Sequence, residues 1–177
     1  MDSSKNIITV NEFVGKYKIS ESYRPIARAL IKKYEELKHI AVDSILFVED
    51  TETIKKNKGQ IVFAQISAIP EKWSDIVYQA TGQPLDYLLE VFKINTAMMS
   101  REQIIALIYH ELRHISGDGS LKGHDIEDWT NMVEKLGLDW ANTKGSIPNL
   151  LDDDVDWESI EGPANLFPAE TTLRVVK

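Results

Sequence analysis

Between residues 20 and 39, Ile26, Ala29, Leu30, Lys33, Tyr34 and Leu37 recur at the spacing of one helical face, and Pro25 stands near the start, where its missing N–H costs little. The pattern then changes period. Residues 44–49 and 60–69 are short apolar runs rich in Ile, Val and Phe, which read as strands, and the polar, basic linker 51–59 between them suggests a meander or hairpin. Residues 70–80 suit a short helix or an ordered loop, interrupted by Gly82-Gln83-Pro84. A third apolar run, 87–94, predicts a strand within residues 86–99. Ser100 followed by Gln103 then forms a capping-box start for a helix over 101–115, which Gly117-Asp118-Gly119 ends. A last amphipathic helix is expected to open at His124 and close at Gly137, with Ile126, Trp129, Met132, Val133 and Leu136 as its core stripe. The fold class this implies is α+β: an N-terminal helix, a short mixed or antiparallel sheet and two later helices.

The 101–115 helix carries the chemistry. On a helical wheel Ile104, Ile108, Leu112 and Ile115 share a face, His110 and His114 lie at its edge, and Tyr109 and Arg113 are turned away. Residues four apart lie about 40° apart around the axis, so two imidazoles can converge on one cation with Glu111 beside it. The string His110-Glu111-Leu112-Arg113-His114 is thus the pattern of a metal-dependent hydrolase, in which a metal-activated water attacks and the glutamate moves its proton. Such a site needs a third protein ligand and an open position. His124, ten residues after His114 and beyond a Gly-rich turn, is the candidate, with Glu127 or Asp128 as the rival carboxylate. Asp125, Glu127 and Asp128 have two readings, as acids favoured in a first helical turn or as partners for the far nitrogen of a metal-bound imidazole. The fourth histidine, His39, has no ligand spacing and reads as structural or surface. An oxyanion donor is expected among Tyr78, Tyr87 and Tyr109, with Tyr109 disfavoured by the wheel.

Composition narrows the ligand chemistry. The 177 residues include no cysteine, so a transition-metal site must use imidazole and carboxylate. The length suits one core. A net charge of −8 argues against nucleic acid as a partner. Most of it lies in residues 150–177, which carry −5 and leave −3 for residues 1–149. The expected organisation is therefore a domain over 1–149 and an acidic extension over 150–177, in which Asp152, Asp153 and Asp154 could compete for the open metal position. No secretory signal pattern and no run of about 18 apolar residues is seen, so a cytoplasmic protein without a membrane partner is expected.

The motif from residue 107 to 115, followed by Leu121-Lys122-Gly123-His124-Asp125-Ile126-Glu127-Asp128-Trp129, resembles the metallopeptidase family of bacteriophages and prophages and, more distantly, the SprT-like zinc proteases. The close match covers about residues 107–137. What the resemblance implies is a small zincin-like domain with Zn2+ on His110, His114 and His124 and with Glu111 as the catalytic carboxylate. It also implies a peptide or protein substrate, in the cytoplasm of a bacterial host. Hydrolysis of another amide or ester is the alternative, as is a non-enzymatic phage interaction protein with a structural or vestigial metal site. An extended peptide bound along strand 87–94 is the expected substrate mode.

Overall fold

Two runs of nearly continuous burial, β2 (Ile45–Asp50) and β6 (Tyr87–Phe92), lie side by side and parallel at the centre of the sheet, in register from Ile45↔Tyr87 to Asp50↔Phe92. Strands of this kind need cover on their apolar faces, which is why their sequences read as runs rather than strict alternation. The computed structural model describes residues 15–124 and 128–151. Its four-stranded sheet has the order β1-β2-β6-β5, with β1 (Tyr17–Ile19) antiparallel to β2 and β5 (Ala64–Ala68) antiparallel to β6. The class is α+β, as expected.

Helices α1 (Arg24–Lys33) and α4 (Arg101–Leu112) pack against each other, and α4 also meets β5. Ile26 and Leu30 of α1, Phe47 and Leu89 of the sheet, and Ile105 and Leu112 of α4 join one buried cluster with Trp129 and Met132. Leu150 and Leu151 are buried in the same cluster. Among the described residues no helix is long and apolar enough to cross a membrane.

Several expectations are corrected. The first helix is shorter than 20–39, because Tyr34 adopts an extended conformation (φ −100°, ψ 124°) and the chain continues as a single 3-10 turn, Glu35–Leu37. Tertiary contacts hold that break. The Tyr34 ring lies 4.8 Å from that of Tyr109, and its hydroxyl donates to the Leu150 carbonyl at 2.8 Å. The strand runs 44–49 and 60–69 do not form a hairpin with each other, since β6 separates them. The hairpin is instead a small one inside the linker, β3 (Lys56–Asn57) with β4 (Gln60–Ile61). Its turn requires left-handed backbone at both Lys58 (φ 48°) and Gly59 (φ 87°), the geometry that matches strand twist. Asn95 ties the hairpin's base by donating to the carbonyls of Lys55 (2.8 Å) and Val62 (2.6 Å).

Residues 71–81 form a helix, α2 (Glu71–Thr81), closed by Gly82 at φ 72°. After β6 the apolar run ends in a single helical turn, α3 (Lys93–Thr96). The Ser100–Gln103 capping box is present in both directions. The last helix, α5 (Thr130–Leu136), begins six residues beyond His124 and closes at Gly137, so His124 precedes the helix instead of opening it. Ile126 lies outside the described residues.

Candidate metal centre

Buried residues run along α4 from Gln103 to Tyr109 without a gap, so the helix is enclosed on all sides rather than amphipathic as the wheel suggests. Its second face is covered by the later chain, where Trp140, Leu150 and Leu151 are buried. The regular helix stops at Leu112, and the backbone tightens: His114 N–H donates to Glu111 C=O at 3.1 Å and Ile115 N–H to Leu112 C=O at 3.0 Å. His110 therefore sits on the last helical turn and His114 on the tighter turn beyond it.

The chain reverses through residues 116–120. Ser116 N–H donates to Ser120 C=O (2.8 Å), Gly119 has φ 82°, and the Tyr87 hydroxyl donates to the Gly119 carbonyl at 2.6 Å. Ile115 and Leu121 then form an antiparallel bridge, and Lys122 N–H donates to His114 C=O at 2.8 Å. This return brings His124 back over the first pair. Its Nε2 lies 2.9 Å from His110 Nε2 and 3.1 Å from His114 Nε2, and ligand atoms of the three residues lie within 4.8 Å of one another.

The outer nitrogens decide which lone pairs face inward. His114 Nδ1 is 2.7 Å from the Lys122 carbonyl, which can only accept, so the proton of the neutral ring belongs on Nδ1 and the Nε2 lone pair points to the centre. Asp128 Oδ1 stands 2.8 Å from His110 Nδ1, off the line of an ideal hydrogen bond, and favours the same tautomer there. Lone pairs meeting this closely repel unless a cation or proton lies between them. Imidazoles on a tetrahedral divalent ion bind at roughly 2.0–2.1 Å and so stand about 3.3 Å apart, close to the spacing found. The donor set fits such an ion.

Electrostatics support the fit. Burial pushes the His114 pKa down, against the opposing Lys122 carbonyl, and the neighbouring His110 and His124 add to the fall; the neutral, ligand-competent ring is favoured. Burial opposes ionisation of Asp128, but His110, the Trp140 indole (2.7 Å) and the Trp129 N–H (2.6 Å) outweigh it and hold the carboxyl at about 2. Asp128 is thus the partner of His110 rather than a fourth member of the cluster. Glu111 is buried, and burial raises its pKa against the countering charge of His110 and the Ile66 N–H, which donates to Oε2 at 2.9 Å.

Trp129 forms the floor. Fully buried, it donates from Nε1 to the His110 carbonyl (3.0 Å), and its ring centre is 5.2 Å from that of His114 and 5.3 Å from that of His124. The Arg113 guanidinium lies 4.7 Å over that ring. Arg113, which the wheel turns outward, also donates to Asn131 at 2.9 Å and so ties α4 to α5.

The histidines open into a cleft of about 1070 Å³, bounded by the β3–β4 hairpin and β5 on one side and by residues 121–124 and 138–142 on the other. None of the three expected tyrosines lines it. Tyr109 donates to Glu36 and accepts from Asn131 (3.0 Å), Tyr87 is tied to Gly119, and Tyr78 is exposed on α2. The strand at the cleft is also corrected, because β6 is interior and β5 is the edge. His39 is structural, with Nε2 2.9 Å from the Ile115 carbonyl. Asp125, Glu127 and Asp152 to Asp154 lie outside the described residues. Sequence reasoning missed Ile66, Lys122 and Trp140. The first two act through backbone groups that every residue carries, and no spacing relates Trp140 to His110.

A family model described as "Putative phage metallopeptidase" matches residues 15–148. No curated protein and no solved structure gives a match.

Proposed function

Because the chain belongs to the phage metallopeptidase family, we propose that it is a zinc-dependent peptidase with a zincin-like domain over residues 1–149, acting on a peptide or protein in the cytoplasm of a bacterial host. The observation that carries this reading is the meeting of three Nε2 atoms, at 2.9 and 3.1 Å from His124, beside the buried Glu111. His110, His114 and His124 would hold the ion. When bound, zinc supplies Lewis acidity that polarises a carbonyl and brings the pKa of water toward roughly 7.

The remaining steps belong to the protein. The Lys122 carbonyl and Asp128 keep the lone pairs of His114 and His110 directed inward. The Ile66 N–H fixes Glu111 through Oε2, so Oε1 takes the proton of the attacking water and returns it to the leaving nitrogen. A carboxyl whose pKa is raised by burial is a stronger base once ionised, which suits that exchange.

Substrate lies along β5. Phe92 N–H bonds Phe63 C=O and Ile69 N–H bonds Asp86 C=O, so odd-numbered residues of this segment pair with β6. Ala64, Ile66 and Ala68 therefore direct their N–H and C=O groups away from β6; the Ile66 N–H is taken by Glu111, and the remaining groups face the edge that an extended peptide can join.

The expected result is close to one zinc per chain in the purified protein, lost in His110→Ala. Glu111→Gln should keep the metal and lose cleavage of a peptide library. Identical digestion profiles for wild type and Glu111→Gln would remove the peptidase reading.

A further inference from the structure

Large hydrophobic side chains are exposed singly over much of the described surface, which is ordinary. Three of them meet at the cleft. Ile61 (48% exposed) comes from β4, Leu121 (37%) from the return that leads to His124, and Leu138 (64%) from the chain after α5. They belong to three separate segments and stand on both walls around the histidines. None contributes a side chain to the buried core, so their apolar character is not explained by folding.

Among the described residues, the charges lining the same cleft do not form a counter-site. Glu111 and Asp128 are committed to Ile66 and to His110, and the exposed charges, Lys122 and Asp139, are single and opposite in sign. A charged substrate side chain entering between Ile61 and Leu138 would lose water without gaining a partner. A large apolar one would lose nothing and cover the exposed surface of both walls.

Resting on the peptidase reading, we propose that the cleft selects extended polypeptides with large aliphatic or aromatic side chains flanking the cleaved bond, and that Ile61, Leu121 and Leu138 make that choice. The backbone of the substrate is held by the free edge of β5, which is indifferent to sequence. Selection therefore falls to the side chains that project from that strand toward the walls.

Binding tests this apart from catalysis. The probes are blocked octapeptides identical except for the central pair, leucine–phenylalanine against aspartate–aspartate or lysine–lysine, titrated into the zinc-loaded Glu111→Gln protein. The leucine–phenylalanine peptide should bind at least about tenfold tighter than either charged peptide. Ile61→Asp with Leu138→Asp should abolish that preference while zinc content and circular dichroism stay unchanged. Because an aspartate pair could recruit the lysine peptide, Ile61→Gln with Leu138→Gln provides the uncharged version of the same loss. Equal binding of all three peptides, binding of none, or a preference that survives both double variants would overturn the proposal. A protein that binds with the expected preference, yet whose wild-type form cuts nothing, would remove the peptidase reading and leave the selectivity standing.

Discussion

Helices α4 and α2 are nearly equal in length, twelve and eleven residues, yet nine residues of α4 are buried and none of α2. Both sequences carry apolar residues at helical spacing. In α2, Trp73 and Ile76 remain exposed, and the helix end is closed only by bonds within the helix and the residues next to it: Gly82 N–H to Tyr78 C=O at 2.7 Å and the Thr81 hydroxyl to Val77 C=O at 2.8 Å. In α4 each end is fastened by side chains to distant parts of the chain. Gln103 completes the capping box and donates from Nε2 to the carbonyls of Trp140 (2.9 Å) and Ala141 (3.2 Å). Arg113 clamps the other end against Trp129 and Asn131. A catalytic constellation has to be held within about 0.5 Å, and a helix enclosed and tied at both ends can do that where a surface helix cannot. His110 sits on the last turn of that enclosed helix, and His114 on the tighter turn just beyond it.

The widest gap between the two helices should appear in stability. Ile105→Ala, in the fully buried face of α4, is expected to cost about 2–5 kcal/mol, whereas Ile76→Ala on α2 should change stability by less than about 0.5 kcal/mol. Urea denaturation of the two variants reads the difference directly, and comparable losses would break the contrast.

A smaller effect tests whether the surroundings of α4, and not the helix alone, set the metal site. Trp140→Phe keeps an apolar ring but removes the indole N–H that donates to Asp128 at 2.7 Å. Zinc affinity should fall by roughly 10–100-fold with little change in fold, as measured by competition with a chelator. An unchanged affinity would mean that His110 is oriented by the helix without help.

The smallest effect has the opposite sign. Burial raises the Glu111 pKa above the ordinary glutamate value of 4.5, so the folded metal-free protein binds that proton more tightly than the unfolded chain. The Glu111 contribution to stability is therefore fully present below about pH 4.5 and is lost as pH rises through the raised folded value. Glu111→Gln should stabilise the metal-free protein at pH 7 by about 0.5–2 kcal/mol, and the gain should vanish as pH falls below 4.5. Thermal melts across pH check this. A variant less stable than wild type at neutral pH would show that the Ile66 hydrogen bond outweighs the desolvation of the carboxylate.

Some of this was legible because it rests on local rules. Ser100 and Gln103 announce the start of α4 through capping that involves only neighbours in sequence. Gly137 marks the end of α5. The pairing of His110 and His114 follows from their four-residue spacing, and the shortness of the turn after them brought His124 into view. The wheel failed for α4 because it counts side chains without knowing what will cover them. Strand runs failed differently: residues 45–50 and 64–68 look like hairpin partners, but pairing depends on burial of both faces, and β6 fits between them.

By itself, then, the sequence determined the chemical character of this protein: two histidines four apart with a carboxylate between them and a third histidine close by, capped helix ends, and an α+β alternation of periods. These depend on residue identity and on distances of a few positions along the chain. The tertiary structure alone decided that Asp128 serves His110, that the Lys122 carbonyl orients His114, that Ile66 holds Glu111, and that β5 is the edge facing the cleft. Each of those links joins atoms from segments that meet only when the core closes, and two of them use backbone groups, which have no signature in a string of side chains.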